Sequence, residues 1–594
     1  MSDSAGKLLN NPYGNVLFDI FRMTDQAFVD KSLMIKYLDD NAMSRYPVLL
    51  RPRRFGKSTF VQMLKCYYDI SYRDRYDELF SGTSIYEENL PSHNSYHVID
   101  FDFSSVPSPN QNTLLTNFSI AVLNAILDFQ QRYPDFVFDV SNVDKQDPTA
   151  LFSEFSSAYV GYYSGKKNLY VLIDEYDNFA NELLSSNLDL FLSITSKNGF
   201  LKTFYSAVKN QAKRSIAKTF ITGVSSVSLD SLTSGFNIAL NVTDYACFNE
   251  YAGFTEDELK ILIPKLVDVE QLGVSTREII QRMKPVYDGY CFSKTSSQTV
   301  YNSSMCLYYL TRVRQEGVFL NPEDCLDPAC DQDGNKLSQL FRLADKETVD
   351  TIIDRYLQGA PFNLQKISEN INLNQVKEYS REQLLSMLYY LGYLTIERNR
   401  EAGSGLSLII PNQYMSKLFA RCTIEFRFKS NAEFSAQKLQ VSSMMACEDD
   451  LSSFADSCTE FLSRIMSNQV LSHMNEIALN LVLFAKLEEQ NKDDFDVRLQ
   501  KSLRIAGAGE KFADLMVTVN RGMRNECIYL IELKYLTKTK AAAKDREENI
   551  QSLIKDASKQ VLEYKSAIDF KGRTVKACVM VFAGPECIYC KIQK

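Results

Sequence analysis

The sequence predicts a multidomain α/β protein, and three features of the chain support that fold class. The first half alternates short apolar runs with segments of helical periodicity, which favours a mostly parallel sheet with helices on both faces. The middle of the chain is mostly helical in pattern. From about residue 463 an α/β pattern returns, which indicates a second sheet.

Length and composition set the broad class. At 594 residues the chain is long enough for three or four domains of about 150 residues each. A hydrophobic content of 45% and a charged content of 24% are ordinary for globular protein. The net charge of −8 gives no global basic signature, so any contact with nucleic acid needs a local basic patch.

Cysteine usage and hydropathy bear on location. The 13 cysteines are odd in number and scattered, which fits free thiols in a reducing compartment. The N-terminus is polar and no apolar run approaches about 18 residues, so we expect neither a secretory signal nor a membrane span. We therefore predict an intracellular protein, cytoplasmic or, in a eukaryote, nuclear.

The N-terminal sheet is built from apolar runs separated by helical segments. The candidate strands are Val48–Leu50, His97–Phe103, Asn168–Ile173, Thr219–Thr222 and Tyr245–Phe248. The helical patterns between them include Ser58–Tyr68, Asn112–Arg132 and Thr203–Arg214. Ligands of such sheets bind at the carboxyl ends of the strands, so the residues that follow each run are the first place to look for chemistry.

The segment PVLLRPRRFGKSTFVQML, residues 47–64, has the layout strand, GKST, helix. That layout is typical of a phosphate-binding loop, in which backbone N–H groups and a helix N-terminus face an anion. Lys57 would reach the β- and γ-phosphates of a nucleotide, and the Ser58 hydroxyl would hold Mg²⁺. The candidate nucleotide-binding residues of the loop are Arg54, Phe55, Gly56, Lys57, Ser58 and Thr59. Arg51, followed by Pro52, stands where such loops usually have their first glycine; an ordinary basic turn before a helix is the alternative.

LYVLIDEYDNF, residues 169–179, is an apolar strand that ends in two adjacent carboxylates. Asp174 is a candidate Mg²⁺ ligand, and Glu175 is a candidate catalytic residue that orients a water for attack on the γ-phosphorus. The alternative is a capped strand end with solvated acids, which is less expected downstream of a GKS loop. Thr222, at the end of another apolar strand, either senses the γ-phosphate or caps a strand-to-loop turn.

The middle region, Glu256 to Phe428, contains REQLLSMLYYLGYLTIERNREAGSGLSLIIPNQYMSKLF. This segment predicts helix, strand, Gly-Ser turn, strand and helix, a pattern similar to a winged helix. Such modules bind DNA or serve only in packing, and packing is favoured because the predicted wing is not basic. A connector rich in serine and acidic residues follows. The predicted domains are therefore 1–255, 256–428, 429–462 and 463–594.

Two C-terminal runs, Gly509–Val519 and Glu526–Leu536, predict a hairpin centred near Met523. In that register Asp514 faces Glu532, and Lys534 shares the face of Glu532 because strand side chains alternate.

Two facing carboxylates repel unless a cation lies between them, and Mg²⁺ suits Asp and Glu oxygens. The candidate catalytic residues are thus Asp514, Glu532 and Lys534, with Asp514 and Glu532 as metal ligands and Lys534 stabilising developing charge. Glu476, on an upstream helix, is a candidate third carboxylate. The alternative is a charged strand face exposed to solvent.

Two further observations concern the C-terminus. The helix predicted within IKDASKQVLEYKSAI carries Gln560 and Tyr564. Cys587 and Cys590 form a single CxxC. With no second pair and three histidines in the chain, a plain surface pair is favoured over a zinc site.

Taken together, these motifs are similar to those of the AAA-ATPase-like family, whose members pair an N-terminal P-loop domain with a C-terminal PD-(D/E)xK nuclease-like domain of the restriction-endonuclease class. The resemblance extends over most of the chain. It rests on AFVDKSLMIKYL (27–38), RPRRFGKS (51–58), ELFSGTSIYE (78–87), IDFDFS (99–104), VLIDEYD (171–177), FITGVS (220–225), SGFN (234–237), GFTEDEL (253–259), YDGYCF (287–292), ADL (513–515) and IELK (531–534).

The resemblance implies ATP and Mg²⁺ as cofactors and the site roles given above. It also implies that the missing first glycine is normal for the family. Glu476 and Gln560 match the family's helical positions less closely. Cys291 replaces a usually basic residue of the YNGYRF-like segment.

Two hypotheses follow. The first is an ATP-binding, ATP-hydrolysing protein that couples nucleotide state to a Mg²⁺-dependent nuclease domain acting on nucleic acid, with DNA favoured over RNA. The second is an ATP-driven signalling or scaffold switch whose C-terminal domain binds a partner or nucleic acid without cleaving it. Both leave open the formation of a homo-oligomer, and neither involves a membrane.

Overall fold

A computed structural model describes most of the chain, namely residues 8–40, 43–107, 110–164, 168–195, 199–226, 238–328, 331–369, 379–398, 405–428, 434, 438–466, 475–490, 494–505, 509–536, 545–567 and 570–594. The chain divides into two compact units. Unit 1 comprises residues 1–348 and 362–416, and unit 2 comprises residues 349–361 and 417–594. The four-part division of the sequence stays a prediction.

The central sheet of unit 1 has five parallel strands in the order β2-β3-β4-β1-β5. Their bounds are β1 Pro47–Leu50, β2 His97–Asp102, β3 Leu169–Asp174, β4 Ile216–Gly223 and β5 Leu240–Asn241. All residues of β1 and β3 are buried, as expected for strands covered on both faces. The predicted α/β fold with a parallel sheet is confirmed for this unit.

The prediction of a strand at Tyr245–Phe248 is wrong. The fifth strand is Leu240–Asn241, and Ala246–Phe248 is a 3₁₀ helix. The backbone N–H of Phe248 bonds to the Tyr245 carbonyl, and the Phe248 carbonyl accepts from the Arg51 guanidinium. These bonds hold a turn where the apolar pattern alone indicated an extended chain.

Unit 1 is rich in helices. They are α1 Phe18–Met23, α2 Met34–Asp39, α3 Lys57–Tyr68, α4 Tyr76–Phe80, α5 Ser84–Glu88, α6 Gln111–Arg132, α7 Pro148–Tyr162, α8 Asn178–Ser186, α9 Leu188–Thr195, α10 Phe200–Gln211, α11 Glu256–Leu266, α12 Thr276–Tyr287, α13 Ser303–Glu316 and α14 Asp331–Arg342. Shorter 3₁₀ turns lie at Ile70–Arg75, Val140–Asn142 and Pro322–Asp324. Helix α15, Lys346–Leu357, crosses the division between the units.

A second, antiparallel sheet of unit 1 contains β6 Phe362–Leu364, β7 Thr395–Ile396 and β8 Leu406–Ile409, in the order β6-β8-β7. Helix α16, Arg381–Tyr390, precedes β7, and helix α17, Gln413–Thr423, follows β8. The predicted order of helix, strand, strand and helix is confirmed. Seven consecutive residues of α16, Leu384–Tyr390, are buried, so only the first turn of the helix is accessible, and the packing role is favoured.

Some predicted features lie outside the described residues. These are the Gly-Ser turn at 399–404, the SGFN motif at 234–237, and residues 429–433 and 435–437 of the connector.

Unit 2 contains a five-stranded mixed sheet in the order β13-β12-β11-β10-β9, in which β11 and β12 are parallel and the other neighbours antiparallel. Its strands are β9 Phe495–Ile505, β10 Gly509–Val519, β11 Cys527–Leu536, β12 Thr574–Ala583 and β13 Glu586–Gln593. A π-helical turn at Ile424–Phe428 continues α17, and the other helices are α18 Ser442–Met445, α19 Ser452–Met466, α20 Glu476–Glu488 and α21 Arg546–Lys565.

The predicted hairpin of β10 and β11 is confirmed, and so is its register. Leu515 pairs with Ile531 and Val519 with Cys527, which are the pairings of a hairpin centred at Met523. Helix α21 packs on this sheet through Ala557, Val561 and Tyr564. Among the described residues, we find no helix that is both long and apolar enough to span a bilayer.

Candidate functional site

The GKS loop of unit 1 joins β1 to α3 and ends in a left-handed residue. Gly56 has φ of 90° and directly precedes Lys57, the first residue of α3. A side chain is strained in that conformation, so glycine is the residue that suits it. The first N–H groups of a helix have no acceptor inside the helix. Those of Lys57, Ser58 and Thr59 therefore form an anion-binding N-terminus at this end of α3.

This helix end opens into a cavity of about 270 Å³. Its polar end is lined by Arg54 and by Gly56, Lys57, Ser58, Thr59 and Glu175. Its apolar part is lined by Tyr13, Val16, Phe28, Met63, Leu262 and Leu307, among others. A cavity lined both by the GKS loop and by apolar side chains suits a small molecule with one anionic and one apolar part.

Lys57 and the two predicted acids lie close together. The Lys57 ammonium is 3.1 Å from Glu175 Oε1 and 3.3 Å from the Pro52 carbonyl oxygen. Asp174 is buried, and its Oδ1 accepts the backbone N–H of Glu175 at 2.9 Å. Burial, and then the charge of Glu175, raise the pKa of Asp174 to about 7, while the neighbouring Ser58 hydroxyl opposes the rise. A cation placed beside Asp174 would relieve this cost.

Thr222 lies at the carboxyl end of β4, between β1 and β3. Its hydroxyl donates to the Leu49 carbonyl at 2.6 Å, the side chain is buried, and it does not line the cavity. The hydroxyl thus ties β4 to β1, which favours the capping alternative over a role as phosphate sensor.

The predicted residues of unit 2 also come together. Lys534 Nζ is 2.9 Å from Glu532 Oε1 and 3.0 Å from Glu476 Oε1. Asp514 Oδ2 accepts the backbone N–H of Leu533 at 2.8 Å. Burial is the largest cause of a raised pKa at both Asp514 and Glu532, and each is raised further by a neighbouring acid, Asp514 by Glu476 and Glu532 by Asp514. The same carboxylates raise the pKa of the Lys534 ammonium.

One oxygen of this cluster has no hydrogen-bond partner among the residues that the structure describes. Glu532 is 3% exposed, and its Oε2 is buried without a hydrogen-bond donor. Tyr564 of α21 lies near enough for both acids to raise its pKa, after burial. Gln560 on the same helix is exposed.

The described residues contain no group of three or more His, Cys, Asp or Glu side chains arranged to hold a metal ion. Cys587 and Cys590 are half-buried on β13, and every cysteine among the described residues is a free thiol.

Comparison with known proteins addresses unit 1. Residues 12–233 match a family described as predicted AAA-ATPase. This match covers just over a third of the chain and indicates ATP binding in that segment. No curated protein matches the chain.

The segment that matches this family model contains a structural residue that the sequence argument did not assign. Arg51, at the usual first-glycine position, is 1% exposed. Its guanidinium donates to the carbonyls of Leu50 at 2.7 Å, Thr243 at 2.9 Å and Phe248 at 2.7 Å. It also lies over the ring of Tyr251, with 5.0 Å to the centroid, and that of Phe292, with 4.2 Å. Arg51 therefore points into the core and away from the phosphate loop.

Asp177 is a second residue that sequence reasoning passed over, although it closes the motif VLIDEYD. It is fully buried, and its carboxylate accepts the backbone N–H groups of Val224 at 3.0 Å and Ser225 at 2.6 Å. A Cβ added to Gly223 would lie 2.3 Å from Asp177 Oδ1. Asp177 and Gly223 thus hold the loop after β4 against the end of β3. Three acids within the four residues 174–177, at the end of a buried strand, were the available signal.

Proposed function

We propose that unit 1 binds ATP with Mg²⁺ and hydrolyses it. The observation that carries this proposal is that Lys57, Ser58 and Glu175 line one cavity, with the buried Asp174 directly behind them, next to Ser58 and Glu175. Lys57 would exchange its contact with Glu175 for the β- and γ-phosphates. Ser58 and Asp174 would hold Mg²⁺, and the raised pKa of Asp174 supports a cation at this carboxylate. Mg²⁺ would neutralise charge on the phosphates, and Glu175, released from Lys57, would orient the attacking water.

The apolar part of the same cavity supports a nucleotide rather than a small inorganic anion. Aromatic and aliphatic side chains such as Tyr13, Phe28 and Leu262 offer a surface for a base and ribose. The loop and these side chains line one continuous cavity, so a single ligand can contact both.

We further propose that unit 2 is a Mg²⁺-dependent nuclease acting on DNA, controlled by the nucleotide state of unit 1. The supporting observation is the buried Glu532 oxygen without a donor, beside Asp514 and Lys534. A buried carboxylate oxygen that lacks a donor is costly unless a cation binds it. Asp514 and Glu532 would hold the metal, which would polarise a phosphodiester. Lys534 would stabilise the developing charge, and Glu476 positions the Lys534 ammonium.

The switch hypothesis is the second candidate. It is favoured by one observation, namely that Lys534 already pairs with Glu532 and Glu476. An ammonium held in this way neutralises the acids without a metal. In this alternative, unit 2 binds a partner or nucleic acid and does not cleave it.

ATP turnover is tested on the full chain by phosphate release and by calorimetric ATP binding in Mg²⁺. Lys57→Ala should abolish turnover and weaken ATP binding. Lys213→Ala is the matched control, because Lys213 is an exposed lysine of the same unit. Equal turnover in wild type and Lys57→Ala would refute the ATPase assignment.

Cleavage is tested with plasmid DNA, Mg²⁺ or Mn²⁺, with and without ATP. Glu532→Gln and Lys534→Ala should both lose cleavage, and Glu586→Gln on the exposed part of β13 should keep it. Cleavage that survives Lys534→Ala removes the nuclease assignment. A wild type that neither cleaves nor binds Mn²⁺ in a calorimeter supports the switch instead.

A further inference from the structure

Three cationic side chains of unit 1 converge at the edge of the phosphate loop. Arg53 and Arg54 belong to the loop itself, and Lys336 is on α14. Helix α14 packs against α8, which begins at Asn178, four residues after Asp174. The three cations therefore lie on the side of the loop that faces the end of β3.

The charges of this cluster are unevenly compensated. Arg54 pairs with Asp333 at 2.9 Å, and Arg53 donates to the uncharged amide oxygen of Asn178 at 2.7 Å. The Lys336 ammonium has neither a hydrogen bond nor an ion pair to any described residue. Two small cavities of about 30 Å³ each are lined by both Arg53 and Lys336. An anion needs both a cavity and nearby positive charge that is not already neutralised, and this part of unit 1 offers both.

Electrostatics agree with this geometry. The pKa of Lys336 is lowered to about 8, first by burial and then by the charge of Arg53, with Arg54 adding to the effect and Asp333 opposing it. Burial and the two arginines thus disfavour the charged form of Lys336, and the carboxylate of Glu182 opposes them together with that of Asp333. An anion bound between Lys336 and Arg53 would raise the pKa of Lys336 again.

We infer that Arg53 and Lys336 form a subsite for the terminal phosphate of the bound nucleoside triphosphate, so that unit 1 supplies its own cation to distinguish triphosphate from diphosphate. The inference rests on the proposed ATP site. Arg53 directly follows Pro52, whose carbonyl contacts the Lys57 ammonium. Its guanidinium is held by Asn178, three residues after Glu175. These contacts put Arg53 at the loop edge next to the acids that face the γ-phosphate in the proposed mechanism.

Lys336 can be tested without disturbing Lys57, Ser58 or Asp174. Binding of ATPγS and ADP, each with Mg²⁺, is compared by calorimetry in wild type and Lys336→Met. Loss of one charge-assisted contact should weaken ATPγS binding roughly 10- to 100-fold, and ADP binding should change less than about threefold. Lys336→Arg should restore most of the ATPγS affinity. Lys346→Met, at an exposed lysine of the following helix, is the control.

Measuring the protons taken up on ligand binding distinguishes a phosphate-binding role of Lys336 from a purely structural one. At pH 8 the ammonium, with a pKa of about 8, is about half protonated, and a bound anion raises its pKa. ATPγS binding should therefore take up roughly half a proton in wild type, measured in buffers of different ionisation enthalpy. Lys336→Met should lose that uptake, and ADP should show none in either protein.

Three results would overturn the inference. Equal weakening of ATPγS and ADP by Lys336→Met would indicate a structural lysine. Unchanged ATPγS affinity and proton uptake would exclude contact with the phosphate. Binding of inorganic phosphate to nucleotide-free protein, abolished by Lys336→Met, would assign the subsite to a free anion. If wild type binds neither nucleotide and Lys57→Ala changes nothing, the proposed ATP site itself fails.

Discussion

Replacing Arg51 by glycine would restore the usual first residue of a phosphate-binding loop, yet we predict that it destabilises unit 1. Arg51 does not contact the nucleotide cavity. Its guanidinium instead joins the end of β1 to the segment that carries Thr243 and Phe248. The glycine variant would leave three buried carbonyl oxygens without their donor and an empty space between two aromatic rings.

The magnitude follows from these contacts. A hydrogen bond to a charged group contributes about 1.5–3 kcal/mol net, and Arg51 donates three. Desolvation of the buried guanidinium, which also lowers its pKa, offsets part of that sum. Removing one partner of a buried ionic network typically costs about 3–5 kcal/mol. We therefore expect Arg51→Gly to lower the free energy of unfolding of unit 1 by about 3–5 kcal/mol.

The assay is thermal unfolding of the full chain, read at the transition that added ATP raises, because a bound ligand stabilises the unit that holds it. That midpoint should fall by roughly 3–6 °C, because unit 1 has about 400 residues and the shift per kcal/mol becomes smaller as the unfolding unit becomes larger. Arg51→Lys keeps the charge but not the planar fork, so it should give an intermediate loss. Arg45→Gly, at an exposed position just before β1, is the control. An Arg51→Gly protein with the wild-type midpoint and ATP affinity would refute the reasoning.

Two further predictions concern the same site. Folding raises the pKa of Asp174 from 3.8 to about 7. Asp174 therefore leaves the free energy of unfolding unreduced below pH 3.8. That free energy falls as the pH rises through about 7, because the unfolded chain ionises this carboxyl more readily than the folded chain. Without nucleotide, Asp174→Asn should thus be more stable than wild type by up to ~4 kcal/mol at pH 8 and equal to it near pH 4. The same variant should lose Mg²⁺-dependent ATP binding. A difference in unfolding midpoint between the two proteins that does not vary with pH would contradict this prediction. Gly223→Ala would put a methyl group 2.3 Å from Asp177 Oδ1 and 2.5 Å from the Tyr176 ring, and should destabilise unit 1 by about 1–3 kcal/mol as an overpacked core. Gly161→Ala, in α7 with nothing within 4 Å, should be neutral or stabilising, and a Gly223→Ala midpoint as high as that of Gly161→Ala would refute the steric argument.

Local patterns predicted much of this protein because the relevant forces act over a few residues. Buried strands and the helix after the GKS loop follow from apolar runs and their period, so the predicted run Ser58–Tyr68 and the helix Lys57–Tyr68 nearly coincide. The hairpin register followed from symmetry about Met523 and the alternation of side chains.

What escaped prediction depends on contacts between distant segments. The chain around Phe248 turns because Arg51 donates a hydrogen bond to the Phe248 carbonyl oxygen. Arg51 lies almost 200 residues earlier in the sequence. The Thr222 hydroxyl is engaged by Leu49 on the neighbouring strand, a pairing that requires the strand order to be known. The site cations escaped for the same reason, since Arg53 and Lys336 meet only after α14 has packed against α8.

The N-terminal segment has a practical consequence for work with the purified protein. Tyr13 and Val16 line the nucleotide cavity, and the segment is anchored by Asn11, which donates to the Leu307 carbonyl at 2.9 Å, and by the Tyr13 hydroxyl, 2.7 Å from Asp327 Oδ2. Trimming the chain to residue 18, the start of the first helix, would therefore remove part of the apolar lining of this cavity and leave the residues of the GKS loop in place. Affinity tags and their cleavage scars belong at the other terminus whenever ATP affinity is to be measured.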